Sequence, residues 1–277
     1  PAGYLAIQEE RFSPFWRRWI TFASSRGSRP WEGDVESHAQ TVHGPEHDPA
    51  CYLCPGNTRT SGAVNPEYDY TFAFPNDFPS MTEDAYIPDQ PSGSYAARPS
   101  TGVCEVIVYG RHHSQRMSTM PTVQIEHVID AWTEVYDRLG QRLDVDYVMV
   151  FENRGAVMGN SQLHPHGQVY AYGSIPDLMV RDQLVAFRDA NFVSEALDAA
   201  LVDGRRILFE NNGFCAFVPF ASWMPYDICI LPRRPIRSFS ETSPSERGEL
   251  AKLLKVVLAG MDNLFGRPYQ YSMALIQ

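Results

Sequence analysis

With 277 residues, 44% of them apolar and 20% charged, the chain is long enough to bury a real core as one large or two modest domains. Its 23 Lys and Arg against 33 Asp and Glu give a net charge of 23 − 33 = −10. That balance excludes a general nucleic-acid binder, because phosphate-backbone affinity rests on clustered basic residues, but it leaves room for a small phosphorylated ligand. No apolar run approaches the roughly 18 to 20 residues of a membrane span, and residues 1–18 lack a signal-peptide core, so a cytoplasmic protein with no membrane attachment is expected.

The first 60 residues are rich in Gly, Pro, Arg and His, with a short helix or strand expected over 4–22 and a loop over 26–31. Residues 68–74 alternate as a strand should and run into the turn Pro75-Asn76-Asp77-Phe78-Pro79. After a loop over 84–102 come a strand at 103–109, a helix at 121–143 with Pro121 in its first turn, and a strand at 147–151. A glycine-containing loop over 153–163 then leads to a strand at 168–172. The later part repeats this order: strands at 206–209, 214–218 and 227–231, a helix at 244–265 and a strand at 271–276. From Glu105 to Pro121 is 121 − 105 = 16 positions, and from Asp227 to Pro244 is 244 − 227 = 17, a near-match that points to an internal duplication. The expected fold class is α+β, with an antiparallel sheet and helices packed on one face. The halves are expected at 1–177 and 178–277. The second copy stops before the element that carries His164-Pro165-His166 in the first, so an incomplete C-terminal half is expected.

Five cysteines, an odd number, argue against a disulfide framework. Cys104, Cys215 and Cys229 sit in apolar runs and read as core thiols. Cys51 and Cys54 are spaced as metal ligands, and a tetrahedral site would need two further N or S donors. The chemistry centres on His164-Pro165-His166-Gly167-Gln168. On a strand, His164, His166 and Gln168 would project from one face. A neutral imidazole is a good nucleophile toward phosphorus, and its attack on an α-phosphate would give a nucleotidyl-histidine. The preceding stretch, 155–161, could supply backbone N–H groups and the Ser161 hydroxyl to phosphate oxygens.

The run from Phe151 to Gln168 resembles the active-site segment of the galactose-1-phosphate uridylyltransferase family, a branch of the histidine-triad superfamily. The likeness extends to Arg26-Gly27-Ser28-Arg29-Pro30-Trp31, to Asp48-Pro49-Ala50-Cys51-Tyr52-Leu53-Cys54-Pro55-Gly56-Asn57, and to Asn76-Asp77-Phe78. It implies transfer of UMP between a UDP-hexose and a hexose 1-phosphate, with His166 as nucleophile and Gln168 bonding the transferred phosphoryl group. Asn76, Asp77 and Phe78 would hold the nucleoside. Asn153, Gly159, Asn160 and Ser161 would lie along the phosphates, with Arg26 and Arg29 at the diphosphate or across the interface of a homodimer. The resemblance also supplies His113 and His164 as partners of Cys51 and Cys54 around one structural zinc, with His112 as the adjacent competitor for His113. His38, His43, His47 and His127 are expected to be surface or core residues.

The sequence departs from the family pattern in two ways. No histidine follows His166, and Ile276-Gln277 stands where a His-Gln-Ala-Pro-like run is common. Asp182 matches a carboxylate ligand of a second metal site but cannot hold a metal alone, so no second metal is expected. Position 160 carries Asn where a Cys or small apolar residue is usual. A related nucleotidyltransferase or phosphorylase with another base or sugar phosphate is the alternative activity, and a degenerate nucleotide-binding regulator is the non-enzymatic one.

Overall fold

The computed structural model describes residues 8–23, 44–86, 97–176, 188 and 190–277; Arg26, Arg29, His38, His43 and Asp182 lie outside them. The N-terminal segment forms a hairpin, β1 (Gln8–Ser13) against β2 (Arg18–Ala23), closed through Arg17 at a φ of 49°. Then come β3 (Phe72–Pro75), β4 (Gly102–Val108), α1 (Thr122–Gly140), β5 (Tyr147–Arg154) and β6 (His166–Tyr172). The later part contains α2 (Ala190–Asp203), β7 (Ile207–Glu210), β8 (Phe214–Phe217), β9 (Cys229–Pro232), α3 (Pro244–Phe265) and β10 (Tyr271–Leu275).

Five strands make an antiparallel sheet in the order β10-β5-β6-β4-β3. Alternation along each strand divides its side chains between two faces. One face carries Ile107, Val148, Val150, Val169 and Ala171. These pack against the apolar stripe Ile125, Val128, Ile129, Trp132, Val135 and Leu139 of α1, repeated at the spacing one helix face requires. Leu250, Leu253, Leu254 and Val257 of α3 join the same core. α3 begins with a capping box, in which Ser243 and Glu246 exchange side-chain and backbone hydrogen bonds, and ends at Gly266 with a left-handed φ of 61°. A second antiparallel sheet, β7-β8-β9, sends Phe214 and Ala216 into this core. Its Cys215, Phe217 and Leu231 form a smaller core with Leu197 and Ala200 of α2. The expected α+β class and the helices on one face of the main sheet both hold.

Three local expectations change. The strand expected over 68–74 is confined to Phe72–Pro75. Tyr68 instead turns inward, stacks on Phe72 with centroids 5.7 Å apart and donates its hydroxyl to the Leu53 carbonyl, so the aromatic alternation there reflects packing rather than a ladder. The strand expected from Gln168 begins at His166, which leaves His164 outside the row it was expected to share with His166 and Gln168. α2 was not anticipated. β10, expected to stand in the second half as 147–151 stands in the first, adds to the edge of the first sheet, antiparallel to β5, with Ser272 opposite Asn153.

Trp132 lies at the centre of the core, 1% exposed, its indole N–H donating to the Tyr109 hydroxyl at 3.2 Å. Trp132→Ala should cost ~3–5 kcal/mol, read as a lower urea midpoint at unchanged slope. A loss below about 1 kcal/mol would mean that the helix layer is not seated as described.

Candidate active site and metal centre

The outer face of β4, bearing Val106 and Val108, is covered by the segment around Cys51 and Cys54, together with Tyr68 and Phe74. Cys51 and Cys54 are presented by a tight turn in which the Cys51 N–H donates to the Asp48 carbonyl and the Cys54 N–H to the Cys51 carbonyl. His113 arrives from the loop after β4 and His164 from the loop before β6. One ligand atom from each of Cys51, Cys54, His113 and His164 lies within 4.8 Å of the others, all four residues are buried, and the group could hold a metal ion. Cys54 Sγ is 3.6 Å from His113 Nδ1 and 3.4 Å from His164 Nδ1. A tetrahedral ion with sulfur ligands at about 2.3 Å and nitrogen ligands at about 2.0 Å has S···N edges of about 3.5 Å, so the two distances fit.

Neighbours fix which ring nitrogen faces the cluster. His164 Nε2 lies 2.8 Å from the Gly110 carbonyl, which can only accept, so Nε2 carries the proton and the Nδ1 lone pair points at Cys54. His113 Nε2 faces the Asp48 carboxylate at 3.8 Å. Burial lowers the pKa of both histidines, that of His164 to about 4 against the pull of the Gly110 carbonyl. Both rings are therefore neutral at pH 7, the form in which imidazole can bind a metal. Burial raises the Cys51 thiol to about 12. A cation is what such a site requires to hold its thiolates.

His166 is half-buried at the start of β6, and its Nδ1 lies 2.8 Å from the His164 carbonyl. A carbonyl cannot donate, so the proton sits on Nδ1 and the Nε2 lone pair is left available. Burial lowers the His166 pKa, which keeps the ring neutral at pH 7. Gln168 follows two positions later on the same face, and its side-chain amide makes no hydrogen bond among the described residues. Between them Gly167 is obligatory, since a Cβ there would lie 2.1 Å from the Tyr109 hydroxyl on the helix side.

The register places further candidates on this face. Phe151 pairs with Gln168, and the same register carried two residues further sets Asn153 opposite His166. A 3-10 turn over Ala156–Met158 follows, flanked by Gly155 at a φ of 92° and Gly159 at 81°, conformations that favour glycine. Asn160 donates its N–H to the Gly155 carbonyl and accepts from the Gln162 N–H, while Ser161 is exposed. Asn76 closes an Asx turn by accepting from the Phe78 N–H, and Phe78 is exposed. Asp77 accepts from Arg59 at 3.3 Å and from the Ser61 N–H at 3.2 Å. The four cysteine and histidine candidates thus come together. So do His166, Gln168 and Asn153, whereas Arg26 and Arg29 lie outside the described residues.

Sequence reasoning missed several supporting groups. Tyr68, whose hydroxyl is 3.4 Å from His164 Nε2, was read as a strand residue. Asp48, beside His113, opens the segment that carries Cys51, and its position three residues before the first ligand was the signal available. Arg59, whose guanidinium lies 4.2 Å over the Phe74 ring, carries no motif.

The geometry separates the adjacent histidines. His113→Ala and Cys54→Ser should each reduce bound metal, measured by plasma emission spectrometry, from about one equivalent to near none, whereas His112→Ala should retain it. Metal loss in the His112 variant alone would reverse the assignment.

Profiles for two parts of one family match the chain: the N-terminal domain of galactose-1-phosphate uridyl transferase over residues 4–176 and the C-terminal domain over 168–277. The galactose-1-phosphate uridylyltransferase of Rattus norvegicus is 36% identical over 275 residues, covering 96% of this chain and 71% of the relative. That of Haemophilus influenzae is 33% identical over 270 residues, covering 95% and 76%. A solved uridylyltransferase superposes with a TM-score of 0.70 at 26% identity, covering 98% of this chain and 80% of the other. An ADP-glucose phosphorylase from Arabidopsis thaliana with bound ADP-glucose shares the fold, with a TM-score of 0.72 at 20% identity over 96% and 81%. Profile matches running from residue 4 to the last residue, with the cysteines, histidines and glutamine gathered as described, mean that the chain belongs to the galactose-1-phosphate uridylyltransferase family.

Proposed function

We propose that the protein is a nucleotidyltransferase that moves UMP between a UDP-hexose and a hexose 1-phosphate through a uridylyl-His166 intermediate. The observation that carries this reading is the His166 Nδ1 contact with the His164 carbonyl, which leaves the Nε2 lone pair for phosphorus. Nε2 attacks the α-phosphorus, a P–N bond forms, and the P–O bond to hexose 1-phosphate breaks. The ring becomes an N-phosphorylated imidazolium whose Nδ1–H remains on the carbonyl, an acceptor suited to a positive ring. A phosphate oxygen of the second hexose 1-phosphate then attacks phosphorus, the P–N bond breaks and its electron pair returns to Nε2. The Gln168 amide donates to a non-bridging oxygen as charge shifts there, and it cannot serve as a base for water, which favours a phosphate acceptor over hydrolysis. In this reading Asn153, Gly159, Asn160 and Ser161 lie along the phosphates, and Asn76, Asp77 and Phe78 hold the nucleoside.

A zinc ion at Cys51, Cys54, His113 and His164 would be structural, because all four protein ligands are supplied and no open position is left. Among the described residues this is the cluster that could hold a metal ion, and the reading rests on it. The reading also includes a division into halves near residue 177, a homodimer, Arg26 and Arg29 at the diphosphate or across the dimer interface, and a cytoplasmic location. None of the five cysteines is paired in a disulfide, as a reducing compartment allows.

The test is exchange of labelled glucose 1-phosphate into UDP-glucose with no other acceptor present. A covalent intermediate predicts exchange in the wild type and none in His166→Gly. Gln168→Ala should slow the exchange about 10²-fold, the usual cost of one lost oxyanion donor. Exchange that survives in His166→Gly would sink the covalent mechanism. Exchange with ADP-glucose but not UDP-glucose would keep the mechanism and replace the uridine assignment.

A further inference from the structure

The last strand lies across the far side of β5 from His166. Because Ser272 pairs with Asn153, and Asn153 stands opposite His166 in the continued register, Ser272 shares a sheet face with the nucleophile. Its hydroxyl donates to Asn153 Oδ1 at 2.7 Å. With the amide placed this way, its oxygen is engaged by Ser272 and its NH2 is turned away as a donor. Two residues earlier, Gln270 Oε1 accepts from the Val157 N–H at 3.1 Å. Its side chain also fills the space beside Gly155, where a Cβ would meet Gln270 Cγ and Oε1 at 2.3 Å. The Gly155 carbonyl in turn receives the N–H groups of Met158 and Asn160.

We infer that Ser272 and Gln270 are positioning residues that hold the segment from Asn153 to Ser161 in its phosphate-receiving conformation. The inference rests on the reading of Asn153, Gly159, Asn160 and Ser161 as phosphate-side groups. Ser272 sets the entry of the segment by fixing one amide. Gln270 sets the 3-10 turn by capping an N–H and packing on the glycine that begins it. Both come from the C-terminal half of the chain, so that half acts on the nucleotide site through these two contacts.

Two readouts test this: the dissociation constant for UDP by calorimetry, which needs no group transfer, and the glucose 1-phosphate exchange rate. Ser272→Ala should weaken UDP binding and slow exchange about five-fold each, the effect of one orienting hydrogen bond, while the melting temperature stays unchanged because Ser272 is exposed. Ser272→Thr, which keeps the hydroxyl, should restore both to within about two-fold of wild type. In an Asn153→Ala background, Ser272→Ala should have no further effect. Gln270→Leu should weaken UDP binding to a similar extent. Wild-type behaviour of Ser272→Ala in both assays, or losses from Ser272→Ala and Asn153→Ala that multiply, would overturn the inference. A wild type that binds UDP without exchanging would sink the proposed reaction and leave this inference to the binding data. A wild type with no affinity for UDP would overturn both.

Discussion

One residue, His164, carries two constraints at once. Its side chain belongs to the buried Cys51, Cys54 and His113 cluster, locked there by the Gly110 carbonyl on the opposite ring nitrogen. Its main-chain carbonyl holds Nδ1 of His166. Displacing the His164 ring would move the carbonyl that selects the tautomer of His166, the proposed nucleophile. The N-terminal segment is therefore more than a covering layer. The turn at residues 48–54 reaches His166 through one side chain and one peptide group.

The sheet makes this coupling stiff. On its helix side, Ile107, Val169, Val148 and Val150 press against α1 and α3, and the Tyr109 hydroxyl fills the space that a side chain at position 167 would need. On its outer side the same strands present Val108, His166, Asn153 and Ser272 in one row. A strand cannot slide by one residue without exchanging these two sets, which would bury His166 and expose the core. Glu152 shows the cost accepted on the inner face. It is 3% exposed and takes one hydrogen bond, from Tyr271, and burial raises its pKa to about 7.

The sequence was most legible where chemistry and periodicity coincide. The α1 stripe, the β4 and β5 runs and the capped start of α3 follow from local spacing. His166, Gln168 and the Cys51–Cys54 pair follow from residue types that only particular reactions require. The candidate metal partners His113 and His164 are legible through family resemblance alone, because residues 59 and 110 positions from Cys54 leave no local trace. Tyr68 was misread because an aromatic alternation looks the same whether the rings line a sheet or plug a cluster. α2 carries Val193, Ala196, Leu197, Ala200 and Leu201 at helical spacing, a local signal that the reading left unused. The placement of β10 beside β5 is a matter of topology, since a strand's own residues do not say which edge it will join. The contacts of Gln270 and Ser272 were invisible for the same reason.

The account stands on the coupling between the four-ligand cluster and the tautomer of His166. The direct measurement is intact mass after incubation with UDP-glucose, on protein as purified and on protein whose metal has been removed by a chelator without unfolding. The account predicts a gain of one uridylyl group, about 306 Da from its formula, in the first sample, and a loss of that gain in proportion to the metal removed in the second. Full uridylylation of metal-free, folded protein would show that His166 is held without the cluster, and would contradict the account.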